Sequence, residues 1–338
     1  MICERVQRRL DSLTKPPGSL GRLEEMLLDY ARIRQAEPPR EPRAAAYIFC
    51  GDHGVVAEGV SAWPSDVTRQ MALNFVGGGA AISVMCRHYG MDAHVVDVGI
   101  AGEPVPGVRA MRVANGTRNF AKEAAMSREQ ALAALEHGKT LAAEAAARYD
   151  VVACGEMGIG NTSAASALLC AYAGLDPEEA AGAGAGSGAE GVRRKVEVLR
   201  RALALHASRD GLAVAAAFGG FEILAIAGMI LGGAEQGLPV VVDGFISCAA
   251  ALVVQAIAPE ALGCVWYSHR SAEKGHRMML AALRARPCLE LDMRLGEGSG
   301  AALLIGVFQT ACRVYHEMAT FDGAGVSRSH ESAPPAIS

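Results

Sequence analysis

Val151-Val152-Ala153-Cys154-Gly155-Glu156-Met157-Gly158-Ile159-Gly160-Asn161-Thr162-Ser163 is the stretch on which the fold turns. Four apolar residues, Val151 to Cys154, run unbroken into glycine, the pattern of a short strand buried on both faces. The glycines turn the chain, and a helical pattern follows over 161–173. The same arrangement recurs. Ala46-Tyr47-Ile48-Phe49-Cys50 stops at Gly51-Asp52-His53-Gly54, and Ala93-His94-Val95-Val96-Asp97-Val98 stops at Gly99. Val240-Val241-Val242 stops at Asp243-Gly244, and Cys264-Val265-Trp266-Tyr267 stops at Ser268-His269-Arg270-Ser271. Helical patterns lie between at 64–90, 127–148, 190–207, 222–235 and 245–258. Short strands alternating with helices predict an α/β fold, a parallel sheet covered by helices. Ligands of such sheets bind beyond the carboxyl ends of the strands, so five strand ends nominate one pocket.

Composition agrees with a folded enzyme-sized chain. With 338 residues, 51% hydrophobic and 20% charged, it suits one large α/β domain or two unequal ones and is not disordered. Aromatics make up 5%, so the core is built from Ala, Val, Leu, Ile and Met. A net charge of −4 without a long basic run argues against nucleic acid as a partner. The apolar stretches 213–218 and 223–234 are too short and too interrupted to span a membrane. The opening MICERVQRRLDSL lacks the apolar segment of a signal peptide. Nine scattered cysteines without a CxxC pair suit buried thiols in a reducing cytoplasm and predict no zinc site. Residues 1–35 read as helical with a break at Lys15-Pro16-Pro17-Gly18, and 38–42 as a linker. A last helix is expected near 299–318, with a frayed tail after 327.

Several loops invite two readings each. In the 155–163 segment, glycines at a helix start allow close approach of a phosphate to free N–H groups. The same segment reads equally as a tight turn capped by Asn161 or Thr162. Gly184 to Lys195 offers a second glycine-rich approach to a helix with Arg193, Arg194 and Lys195. Otherwise it is a loose spacer before a solvated basic face. Phosphate binding by both loops would involve Gly158, Gly160, Asn161, Thr162, Ser187 and Gly188, helped by Lys195 or Ser271. Gly296-Glu297-Gly298-Ser299-Gly300 sets one carboxylate between glycines, either a general base or an acid aiding a helix dipole with Ser299 as the cap. The Asp52-His53 and His269/His276 groups lack metal-ligand spacing. Asp243 stands alone, where a pyrophosphate-activated phosphoribosyltransferase needs two adjacent acids for ribose and Mg²⁺.

Longer motifs then carry a resemblance: KPPGSLGRL (15–23), GDHGVVAEGVSAWPSDVTRQM (51–71), NFVGGGAA (74–81), GEMGIGNTSAAS (155–166), VVVDGFISCAA (240–250), SHRSAEKGH (268–276) and LDMRLGEGSGAAL (291–303). The chain resembles the nicotinate-nucleotide–dimethylbenzimidazole phosphoribosyltransferases, which make the lower-ligand nucleotide of cobalamin, from about residue 13 to 326. The resemblance implies a large Rossmann-like domain, 44–295, and a small helical domain from 1–43 plus 296–338. It also implies a homodimer, no cofactor and no metal. The implied reaction moves phosphoribose from nicotinate mononucleotide to 5,6-dimethylbenzimidazole, giving α-ribazole 5′-phosphate and nicotinate. Glu297 then matches the catalytic base and Glu156 a second acid at the same site. Gln70 matches a residue lining the benzimidazole pocket; Lys195, Asp243, Ser271, Gly158, Gly160 and Gly188 match the nucleotide side, and Leu295 adjoins the base motif. Ala62 and Trp63 depart from the pattern near the base pocket. Alternative readings are a homologue using another flat acceptor and a non-catalytic nucleotide sensor. An NAD-dependent oxidoreductase is disfavoured, because Gly158-x-Gly160 has no third glycine at Ser163.

Overall fold

The computed structural model describes residues 1–182, 184, 186, 188–208 and 210–327. Ser187, the spacer at 183 and 185, and the tail from 328 lie outside the described residues. The chain divides into two compact units, Arg43–Ile305 and Met1–Pro42 with Gly306–Ser338. The sequence placed the second boundary before Gly296. The structure puts it after Ile305, because the 296–301 backbone is hydrogen-bonded to Asp243 of the large unit.

The large unit is built on one six-stranded sheet. Its strands are β1 (Ala44–Gly51), β2 (Asp92–Gly99), β3 (Arg109–Ala110), β4 (Val151–Met157), β5 (Val240–Val242) and β6 (Val265–Tyr267). They lie in the order β3-β2-β1-β4-β5-β6, and every pair is parallel. All eight residues of β1 are buried, which is why its sequence shows an apolar run without alternation. β3 has no such run. Both of its residues are exposed, and it exists through pairing with Val96 and Asp97. The 64–90 pattern divides at Gly77-Gly78-Gly79 into helices Asp66–Val76 and Ala81–Tyr89. The apolar 213–218 stretch belongs to a further helix, Gly211–Phe218. Strand order reverses between β1 and β4, a topological switch point of the kind at which such sheets commonly bind ligands.

The scarcity of aromatic residues is answered by close helix packing. Helices Arg128–Ala146 and Phe221–Gln236 meet at glycines: a Cβ on Gly138 would strike the Ala225 carbonyl, and one on Gly228 the Leu135 carbonyl. The obstacle in each case is backbone, which a side-chain rotation cannot relieve.

In the smaller unit, helices Ile2–Ser12 and Arg22–Arg34 flank the Lys15-Pro16-Pro17-Gly18 break. Leu10, Leu27, Tyr30 and Phe308 are buried there, with the Tyr30 and Phe308 ring centroids 5.4 Å apart. Lys15 and Glu24 form a buried ion pair at 2.8 Å, which fixes the break. Among the described residues, no helix is long and apolar enough to cross a membrane.

The helix crossing yields a direct test. Gly228→Ala should destabilise the protein by about 1–3 kcal/mol through overpacking, read as a lower urea midpoint with an unchanged slope. An unchanged midpoint would show that the two helices have room to separate.

Candidate active site

Beyond the carboxyl ends of β4, β5 and β6 lies a cavity of about 430 Å³, within the usual range for small-molecule sites. One wall is apolar: Trp63, Val67, Met71, Met157 and Ile159. Val67 and Met71 are one helical turn apart and share a face of the 66–76 helix. Gln70 projects elsewhere: it is exposed and does not line the cavity. Thr68 of this helix accepts the Ile159 N–H at 3.1 Å and so anchors the 158–160 loop.

Three carboxyl groups meet at the other wall. Glu156 ends β4, Asp243 follows β5, and Glu297 sits on the turn before helix Ser299–Glu317. Each is less than 9% exposed. Asn161 donates to Glu156 Oε2. Burial, with Asp243 and Glu222 nearby, pushes the Glu156 carboxyl up to about 8. Burial likewise pushes Asp243 up to about 7 against three backbone hydrogen bonds that favour its anion. Glu297 is also raised by burial, opposed by a hydrogen bond from the Ile82 backbone at the start of the 81–89 helix. Its Oε2 is buried without a hydrogen-bond partner.

Glu297 has an unusual backbone. Its φ is +64°, between Gly296 at +87° and Gly298 at +94°. Only a short run of left-handed residues brings this turn onto β4, and a Cβ at Gly155 would collide with the Glu297 carbonyl. The capping role read for Ser299 is not what the structure has. Ser299 Oγ donates to the Gly296 carbonyl at 2.8 Å, and Asp243 takes the N–H groups of Gly298, Gly300 and Ala301. Glu297 is therefore relieved of capping.

The glycine loop after β4 also departs from the capped-turn reading. Gly160 is the N-cap, and no side chain caps the helix Asn161–Ala173; the Asn161 side chain turns to Glu156 instead. Gly158 packs on the Gly51 carbonyl and Gly160 on Val56 and His53, whose Nε2 is 2.6 Å from Glu222 Oε1. Thr162 lines the cavity, and Lys195 stands behind it, 1% exposed, with Nζ 3.5 Å from Thr162 Oγ1 and 3.0 Å from the Gly182 carbonyl. Burial lowers the Lys195 pKa. Gly188 caps the Ala189–Leu205 helix and is not in the cavity wall.

Ser271 lines the cavity after β6. Its N–H donates to His276 Nδ1 at 2.8 Å, which leaves the ring proton on Nε2, 3.3 Å from Cys248 Sγ. Burial holds His276 neutral, with a pKa near 3. Leu295, 57% exposed, and Arg294 complete the rim. The ends of β1 and β2 do not line the cavity: Asp52 accepts the Ala101 N–H, and Asp97 accepts those of Gly99 and Ile100 and pairs with Arg112. Among the described residues, no His, Cys, Asp and Glu side chains gather as a metal-ligand set. Sequence reasoning missed Val67, Met71, Ile159, Phe245, Glu273 and Arg294; the i, i+4 spacing of the first two was the only available signal.

The raised carboxyls have a thermodynamic consequence. Glu156 holds its proton to about 8, against 4.5 ordinarily, so the folded state binds a proton the unfolded chain has released. The associated stability is complete below about pH 4 and is lost as pH rises through about 8. Glu156→Gln should therefore flatten the fall in melting temperature between about pH 5 and about pH 8. Parallel wild-type and variant curves would contradict the buried-acid assignment.

The comparisons with known proteins converge on one family. A phosphoribosyltransferase family matches residues 1–326. A Geobacter sp. (strain M21) protein named nicotinate-nucleotide–dimethylbenzimidazole phosphoribosyltransferase is 47% identical, over 96% of this chain and 95% of its own. A Chloroflexus aggregans protein of the same name is 49% identical over 96% and 94%. The crystal structure of CobT from Thermus thermophilus superposes with a TM-score of 0.90 at 47% identity, covering 97% of this chain and 99% of that one. The chain belongs to this family, the nicotinate-nucleotide–dimethylbenzimidazole phosphoribosyltransferases.

Proposed function

We propose that this family member moves phosphoribose from nicotinate mononucleotide to 5,6-dimethylbenzimidazole, with Glu297 as the general base. The observation that carries this reading is Glu297 itself: a buried carboxylate with one unpartnered oxygen, facing a cavity with an apolar wall. The donor's nicotinate is a pyridinium, so C1′ already bears a cationic leaving group that departs as a neutral ring nitrogen. The acceptor attacks through its lone-pair nitrogen, forming the new C1′–N bond as the old one breaks. Its N–H proton must then leave, and Glu297 accepts it. Attack from the face opposite the leaving ring inverts C1′ from β to α.

Trp63, Val67, Met71, Met157 and Ile159 suit a flat dimethylated ring. The phosphate is assigned to the Gly158–Thr162 loop, where no carbonyl takes the N–H groups of Gly160 and Thr162 among the described residues. Lys195 supports it through Thr162, and Ser271 supplies a hydroxyl. Glu156 and Asn161 border the ribose side, and Leu295 the mouth. Gln70, assigned to the benzimidazole pocket by the resemblance, is exposed on the same helix as Val67 and Met71.

Incubation with nicotinate mononucleotide and a panel of bases, with products identified by mass and anomeric form, should give the α-nucleotide of dimethylbenzimidazole. The rate should survive EDTA; activity abolished by EDTA and restored by Mg²⁺ would refute the metal-free displacement. Preference for a different flat base would redirect the reading toward Trp63 as the cause.

Removing the base makes the sharper case. Glu297→Gln should lower turnover by about 100- to 10,000-fold with donor binding retained. Glu317, half exposed beside Arg40 at 3.6 Å, is the control: Glu317→Gln should leave turnover unchanged. Near-normal turnover of Glu297→Gln at saturating substrates would refute the base assignment. The same reading includes a cytoplasmic homodimer, and light scattering that returned a monomer mass would remove the dimer from it.

A further inference from the structure

We infer that Asp243 is a positioning residue for the base rather than a contact for the nucleotide. This deepens the proposed function and rests on Glu297 being the base. Asp243 borders the cavity but is 1% exposed, and each of its oxygens accepts from the backbone. Oδ1 accepts the N–H groups of Gly300 at 2.7 Å and Ala301 at 3.0 Å, and Oδ2 accepts that of Gly298 at 3.2 Å. These donors belong to the residue after Glu297 and to the first turn of the 299–317 helix. A carboxylate there satisfies orphan N–H groups and complements the positive end of the helix dipole. The nearest basic group, His269 Nδ1, is 3.8 Å away on a ring that burial keeps from protonating. The charge of Asp243 is thus met by the turn that carries Glu297.

The anchor fixes a backbone that does not hold itself. Glu297 is left-handed between two left-handed glycines, a state that persists only where surroundings over-determine it. Asp243 supplies the hold from β5, while Gly155 of β4 provides the space. An amide in place of the carboxylate keeps the Oδ1 contacts but turns an N–H₂ group toward the Gly298 N–H, setting donor against donor. Glu297 then loses its aim while the nucleotide side of the cavity stays as built.

A double-mutant cycle separates the possibilities. Asp243→Asn should lower kcat on the order of 10- to 100-fold, as expected for a misaimed catalytic group. The dissociation constant for nicotinate mononucleotide, measured calorimetrically, should stay within about twofold of wild type. In a Glu297→Gln background the same substitution should cost less than about a further twofold, because the group it aims is already disabled. Multiplicative losses, a parallel fall in donor affinity, or unchanged turnover in Asp243→Asn would each overturn the inference. If Asp243→Asn does not fold, Gly298→Ala perturbs the turn with the carboxylate intact, since its Cβ would lie 3.0 Å from the Gly155 Cα. The same non-additivity with Glu297→Gln is expected, and its absence overturns the inference. The Glu297→Gln single variant tests the underlying reading separately: if it alone keeps normal turnover, the base assignment fails whatever Asp243 does.

Discussion

Gly155 has no side chain, and the 296–298 turn lies against the space this leaves. Any Cβ there would strike the Glu297 carbonyl, and backbone on both sides prevents relief by rotamer change. The adjacent strand completes the constraint, because Asp243 binds the far side of the same turn. Glu297 is therefore placed by two neighbouring strands, one through an absence and the other through an acceptor. A left-handed non-glycine residue costs on the order of 1–3 kcal/mol. The three backbone hydrogen bonds to Asp243 hold the turn against that strain.

The electrostatics follow from the same crowding. Glu156, Asp243 and Glu297 are buried near one another, and all three have raised pKa values with desolvation as the leading cause. Among the described residues, Arg294 is the only Lys or Arg in the cavity wall, and Lys195 stands one layer behind. An anionic nucleotide would meet strong repulsion if every acid were ionised. Partial protonation of Glu156 near neutrality weakens that repulsion, while Asn161 keeps the group oriented in either state.

Much of this was legible in the chain. Runs such as Val151–Cys154 and Val240–Val242 announce buried parallel strands, and the glycine and acid residues after them announce the pocket. β3 was invisible because an exposed two-residue strand carries no apolar run. The 64–90 helix was overextended because Gly77-Gly78-Gly79 interrupts the backbone without changing the apolar period on either side. Within the site, residue type identified Glu297, Glu156, Thr162 and Ser271 as facing the cavity. Gln70 lies outside the wall, since its neighbours Val67 and Met71 occupy the inward helical face. Residue type could not foresee what Asp243 binds. The partner is main-chain N–H, which has no letter in the sequence.

The polar residues of the cavity divide by the direction in which they offer hydrogens. Thr162 Oγ1 accepts from Lys195 behind the wall, and Ser271 Oγ accepts at 3.2 Å from the N–H of Glu273, itself a wall residue. A hydroxyl that accepts such a bond keeps its own hydrogen to give. Around these two the cavity presents donors, and it suits an anionic group such as a phosphate. Glu297 Oε2 presents the opposite, a buried acceptor with nothing to accept from. A substrate pair that brings an anion to one side and a surplus proton to the other satisfies both, whereas a nucleotide alone would leave the acceptor unsatisfied. The arrangement therefore matches transfer to an N–H acceptor better than simple nucleotide sensing.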